Sequence, residues 1–217
     1  MKQNLSLEHL YRASSLSNKA PAIIMLHGYG SDENDLFSFA SELPSEYAIF
    51  SLKAPRKLMP YGNAWYDIHF DAPDGKWSDN EQAIESRELI SKVIDEILDA
   101  YPVDPKKITL LGFSQGTILS FSVALSYPEK VKNVIGLSGY INPDILKENF
   151  TENDFSNLHI YSSHGSVDQV IPVDWARKTA PLLKELGIEC HYSEFPVGHG
   201  VAPQNFYELK EWLSNHH

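Results

Sequence analysis

The five residues Gly112-Phe113-Ser114-Gln115-Gly116 constrain the fold of this chain more than any other stretch. They follow an apolar run, Ile108-Thr109-Leu110-Leu111, that reads as a buried strand, and a helical pattern begins directly after them. A Gly-x-Ser-x-Gly turn between a strand and a helix lifts its serine hydroxyl above the edge of an α/β sheet. The serine backbone is strained in such a turn, so its neighbours two residues away must be small, which accounts for Gly112 and Gly116. The helix that starts at the serine also aims backbone N–H groups at the place where negative charge would develop.

The rest of the chain supplies a sheet for this turn. Apolar runs predict strands at 22–26, 47–52, 131–137 and 158–162, and a strand-like run predicts the last at 189–195. A helix is expected after the first of them, capped by Ser31 or Asp32, with Leu36, Phe37, Phe39, Ala40 and Leu43 turned inward. The clearest helix lies between a capping box at Ser78-x-x-Glu81 and a stop at Pro102. Its Ile90, Val93, Ile94, Ile97, Leu98 and Tyr101 recur at the spacing of one buried face. A further helix is expected over 173–186, ended by Gly187, and Phe206, Leu209, Trp212 and Leu213 mark a closing amphipathic helix. Residues 55–79 read as a long irregular segment. Repeated βα units imply a mainly parallel central sheet with helices on both faces, and no linker-like stretch interrupts a single α/β domain over residues 1–217. Ligands of such sheets bind outside the C-terminal strand ends.

A serine hydroxyl needs a base within hydrogen-bond reach, and the base needs an orienting carboxylate. On an α/β sheet these follow in the order Ser, Asp or Glu, His. The strand at 158–162 runs into His164-Gly165-Ser166-Val167-Asp168, and the last strand into Gly198-His199-Gly200. Asp168 and His199 are therefore the candidate partners of Ser114. Asp174 reads as a helix cap, His191 lies inside a strand, and His216 and His217 stand at the chain end. Two backbone donors for a developing oxyanion are expected from Gln115 and from Tyr29 in the loop His27-Gly28-Tyr29-Gly30. His27 and His164, each before a glycine at a strand end, read as structural hydrogen-bonders.

Composition excludes other classes. A net charge of −11 with a pI near 5.2 offers no basic cluster for nucleic acid or for an anionic membrane surface. The single cysteine, Cys190, allows no intrachain disulfide and reads as a structural thiol. No His-x-x-x-His or cysteine pair suggests a metal, and Asp67, Asp71, Asp74 and Asp79 are scattered through a loop. Gly28 and Gly30 do not form a dinucleotide fingerprint, so no cofactor is expected. The N-terminal residues lack the apolar core of a signal peptide and no stretch approaches the ~20 apolar residues of a membrane span, so a soluble, cytoplasmic protein without a stable membrane anchor is expected.

With these residues in view, the chain resembles the carboxylesterase, phospholipase and acyl-protein thioesterase group of small α/β-hydrolases. The matching pieces are Leu26-His27-Gly28-Tyr29-Gly30, Ala54-Pro55, Trp65-Tyr66-Asp67, the serine turn, His164-Gly165-x-x-Asp168 with Val170-Ile171-Pro172, and Gly198-His199. The resemblance implies an α/β-hydrolase fold without a separate lid domain. It also implies a Ser114-Asp168-His199 triad, oxyanion donors at Tyr29 and Gln115, and a homodimer. Aromatic composition and family position together suggest Trp65, Tyr66 and Val170 as walls of an acyl pocket. The expected function is a serine carboxylic-ester hydrolase that works through an acyl-enzyme on short-to-medium acyl esters. The alternatives are action on long acyl chains, as an acyl-protein thioesterase or lysophospholipase, and a non-catalytic ligand-binding hydrolase fold. The loop Gly30-Ser31-Asp32 departs from the Gly-x-Gly-Asp form of the thioesterase branch.

Overall fold

The computed structural model describes residues 5–72 and 75–216. Residues 1–4, the scattered acidic residue Asp74 and the terminal His217 lie outside the described residues. Strand β1 (His9–Arg12) is followed by β2 (Ala20–Leu26), a short helix α1 (Asn34–Phe37) and β3 (Ala48–Leu52). Two small antiparallel hairpins come next, β4 (Arg56–Lys57) with β5 (Asn63–Ala64) and β6 (Ile68–Ala72) with β7 (Gly75–Ser78). The long helix α2 (Asn80–Ala100) leads into β8 (Val103–Phe113), α3 (Gln115–Ser126), β9 (Asn133–Leu137) and β10 (His159–Gly165). Two short helices, α4 (Val173–Ala176) and α5 (Thr179–Glu185), precede β11 (Cys190–Phe195) and the closing helix α6 (Pro203–Asn215).

Seven strands form the central sheet in the order β1-β3-β2-β8-β9-β10-β11. All pairs are parallel except β1 with β3. Strand β2, Ala-Pro-Ala-Ile-Ile-Met-Leu, is buried along its whole length, as a strand covered on both faces must be. Because side chains alternate along a strand, its residues feed two cores. Ile24 and Leu26 join Phe50, Leu110 and Val134 under α2 and α3. Ile23 and Met25 join Ile49, Leu111 and Ile135 under the Leu209, Trp212 and Leu213 face of α6. Every residue of α3 is buried, so the helix carrying the serine turn is fixed by packing on all sides.

Several elements differ from the sequence reading. Segment 55–79 is not irregular throughout: its described residues hold the paired strands β4 with β5 and β6 with β7. The cap of α2 is Asp79, whose side chain accepts from Gln82 N at 3.0 Å, one residue later than the expected Ser78 box. The helix expected over 173–186 is broken in two, because Pro181 has no N–H to offer Arg177 and so cannot continue the ladder. Among the described residues no helix is long and apolar enough to cross a membrane.

Candidate active site

Ser114 sits between the end of β8 and the start of α3 with φ 53° and ψ −115°, a conformation that L-residues rarely adopt. The turn is held from both sides. Ser114 N donates to Leu137 O of β9 at 2.8 Å, and Thr117 N and Ile118 N donate to Ser114 O at 3.0 and 3.1 Å. The flanking glycines are a matter of space. A Cβ on Gly116 would collide with the carbonyl oxygen of Leu26, and one on Gly112 with the carbonyl of Gly116. This is the close approach of strand β2 to α3 that puts the serine at the sheet's C-terminal edge.

The structure brings Ser114, His199 and Asp168 together. His199 Nε2 lies 2.9 Å from Ser114 Oγ, and His199 Nδ1 lies 2.7 Å from Asp168 Oδ2. The three residues come from the ends of β8, β10 and β11, separated in sequence but adjacent at one edge. The loops after β10 and β11 are bonded to each other through their backbones, Ser166 N to Phe195 O at 2.7 Å and Val167 N to Val197 O at 3.2 Å. The distance from Asp168 to His199 is thereby set by sheet extension. The Phe113 ring lies beside the imidazole, with centroids 5.0 Å apart.

Asp168 is buried, and its carboxylate is well supplied with donors. Val170 N and Ile171 N donate to Oδ1 at 2.8 and 3.0 Å, while His199 holds Oδ2. Burial pushes this carboxyl up, but the His199 and backbone hydrogen bonds outweigh it and hold the group below its ordinary value. A group held as the anion in this way is suited to fix an imidazole N–H. His164, fully buried beneath the loop, places Nε2 2.9 Å from Ile171 O and 3.3 Å from Asp168 Oδ2. His27 accepts from Ala54 N at Nε2 (3.0 Å), which leaves Nδ1–H to donate to Gly28 O at 2.8 Å. Burial lowers its pKa, consistent with a neutral imidazole that braces the loop carrying Tyr29.

A cleft of about 420 Å³ opens above Ser114 and His199. Tyr29, Gln115, Tyr66 and Val170 are on its wall. Trp65 is not, which corrects the expectation drawn from its aromatic loop. Its side chain is fully buried, its indole Nε1 donates to His27 O at 2.9 Å, and its backbone N donates to Gln115 Oε1 at 2.8 Å. An indole offers a large apolar surface with one donor, and the strand end at His27 supplies the acceptor. The Gln115 amide completes this brace by donating to Tyr66 O at 2.7 Å. The Gln115 side chain is thus spent on positioning the 65–66 segment, while its backbone N–H lies at the first turn of α3, directly after Ser114.

Sequence reasoning missed the other half of the cleft. Tyr140, Asn142 and Asp144 follow β9, Ile118 lies on α3, and Trp175 lies on α4. The available signal was position: the segment after β9 leaves the same sheet edge as the serine turn.

Residues 10–217 match the family described as phospholipase/carboxylesterase. The chain belongs to that family. A protein of Oryza sativa subsp. japonica named as a probable carboxylesterase is 28% identical over 156 residues, which are 70% of this chain and 58% of that protein. The chain thus spans little more than half the length of that relative. Acyl-protein thioesterase 1 of Emericella nidulans is 27% identical over 221 residues, covering 92% of this chain and 91% of the relative. The crystal structure of the Bacillus cereus carboxylesterase has a TM-score of 0.85 with 18% identity over 99% of this chain and 96% of that one. The fold of this chain is the α/β-hydrolase fold with a mostly parallel sheet.

Proposed function

We propose that this family member hydrolyses carboxylic esters or thioesters of short-to-medium acyl chains through an acyl-enzyme on Ser114. The observation that carries the reading is the unbroken line of hydrogen bonds from Ser114 through His199 to Asp168, at a strained turn inside a cleft. Ser114 Oγ attacks the acyl carbon while His199 Nε2 takes its proton. The carbonyl electron pair moves onto oxygen, where the backbone N–H groups of Gln115 and Tyr29 meet the charge. Collapse breaks the bond to the leaving oxygen or sulfur, which takes the proton from His199. Water then gives a proton to His199, attacks the acyl-serine and releases the acid, and His199 returns the proton to Ser114 Oγ. Asp168 keeps the Nδ1–H in place and stabilises the imidazolium between these steps.

The cleft volume lies in the range of small-molecule sites, which supports a small-molecule acyl substrate. The thioester half of the reading draws on the relative named as a thioesterase. The test is hydrolysis of p-nitrophenyl esters from acetyl to palmitoyl by the wild type and by Ser114→Ala. Activity should concentrate at the shorter chains and fall by roughly 10³-fold or more in the variant. A preference for long chains would shift the substrate to lipids or acylated proteins. Absence of Ser114-dependent turnover at every length would overturn the mechanism.

A further inference from the structure

The cleft carries a charge asymmetry that acyl transfer itself does not use. Among the described Asp, Glu, Lys and Arg residues outside 70–77, Asp144 alone lines it. Among the described residues outside 70–77, the aromatic side chains of Tyr29, Tyr66, Tyr140 and Trp175 share the wall. The Tyr140 and Trp175 rings meet edge to face, with centroids 5.1 Å apart. Burial raises the Tyr140 phenol above its ordinary value, and the charge of Asp144 raises it further, so carboxylate and ring share one environment.

The short turn that bears Asp144 is anchored at several points. Asp144 N donates to Asn142 Oδ1 at 3.1 Å, and Asn142 Nδ2 donates to Asn80 Oδ1 at 3.3 Å. The next carbonyl, Ile145 O, accepts from Arg87 Nη1 at 2.6 Å and from Ser122 Oγ at 2.8 Å. Arg87 pairs with Glu88, and Arg177 pairs with Asp174 and Glu194. Among the described residues no salt bridge takes up the Asp144 carboxylate, which stands exposed at the cleft. An unpaired carboxylate on an anchored turn, lining the same cleft as aromatic side chains, attracts a weakly hydrated cation and repels an anion. The chain's net charge of −11 adds a long-range field of the same sign.

We propose that Asp144, with Tyr140 and Trp175, selects esters or thioesters that carry a quaternary or protonated ammonium group. This rests on the hydrolase reading above. The test uses two matched pairs, one with the charge on the leaving group and one with it on the acyl group. The first is acetylthiocholine against S-(3,3-dimethylbutyl) thioacetate, in which carbon replaces the charged nitrogen. The second is the p-nitrophenyl ester of 4-(trimethylammonio)butyrate against that of 5,5-dimethylhexanoate. In at least one pair kcat/KM should favour the cation by about tenfold at low salt. That ratio should shrink as salt is added, and fall several-fold in Asp144→Asn and in Trp175→Leu. Ratios at or below one in both pairs, or a ratio unchanged by Asp144→Asn, would overturn the inference. If all four compounds are hydrolysed in a Ser114-dependent way without preference for the cation, the specificity falls and the hydrolase reading stands. If none is hydrolysed in a Ser114-dependent way, the specificity falls, and the hydrolase reading falls with it only if the p-nitrophenyl series also shows no Ser114-dependent turnover.

Discussion

At the scale of single residues, the site depends on side chains that never touch the reacting atoms. Gln115 uses its amide oxygen on Trp65 N and its amide nitrogen on Tyr66 O, both buried. Gln115→Ala removes both and leaves two backbone groups unsatisfied, so it should destabilise the fold by about 1–3 kcal/mol for each group. Urea unfolding of the variant measures this, and an unchanged midpoint would contradict the brace. Asp168→Asn keeps the shape but no longer fixes the Nδ1–H of His199. Its kcat should drop by about 10³–10⁴-fold with little change in KM, read from steady-state kinetics. The same residue governs acid behaviour. Its carboxyl is held below its ordinary value in the fold, so its stabilisation is present above the unfolded pKa of about 3.9 and is lost as pH falls through the lower folded value. The stability difference between the wild type and Asp168→Asn should therefore narrow between neutral pH and about pH 3.

At the scale of elements, the serine turn was legible because its signal is local. An apolar strand, two glycines at fixed positions and a helix all lie within about twenty residues of chain. Asp168 and His199 were legible for a different reason: each follows a strand, and strand ends share one edge of the sheet. What stayed hidden was decided by partners far along the chain. Strand β1 pairs antiparallel with β3 through only four residues, too few for a period to declare itself. The hairpins within 55–79 rest on pairs of two to five residues. Trp65 gives no sign in sequence of whether it faces the cleft or the core, since both would take an indole; the acceptor at His27 O decided it. The contact between β2 and α3 allows a sharp test. Gly116→Ala would drive a methyl group into the carbonyl of Leu26, so the variant should lose more than about 3 kcal/mol or fail to fold, whereas Gly187→Ala, at a helix end with open space but φ 73°, should cost about 1 kcal/mol. Equal effects in thermal unfolding would contradict the packing account.

At the scale of the whole molecule, one sheet feeds both cores, and the three site residues hang from three of its strands. We propose that the chain unfolds as one domain, with tryptophan fluorescence and far-ultraviolet circular dichroism giving coincident transitions in urea; two separated transitions would contradict this. With a net charge of −11, screening of self-repulsion should raise the thermal midpoint between about 10 mM and about 200 mM sodium chloride, and a fall would contradict it. The central claim is that Ser114 becomes covalently acylated during turnover. The most direct test is intact-mass analysis of the protein quenched in acid milliseconds after mixing with p-nitrophenyl butyrate, with peptide mapping of any adduct. The account predicts a gain of one butyryl group on Ser114, accompanied by release of one equivalent of p-nitrophenol, and no gain in Ser114→Ala. Turnover of the ester with no adduct on Ser114, or with the adduct on another residue, would contradict it.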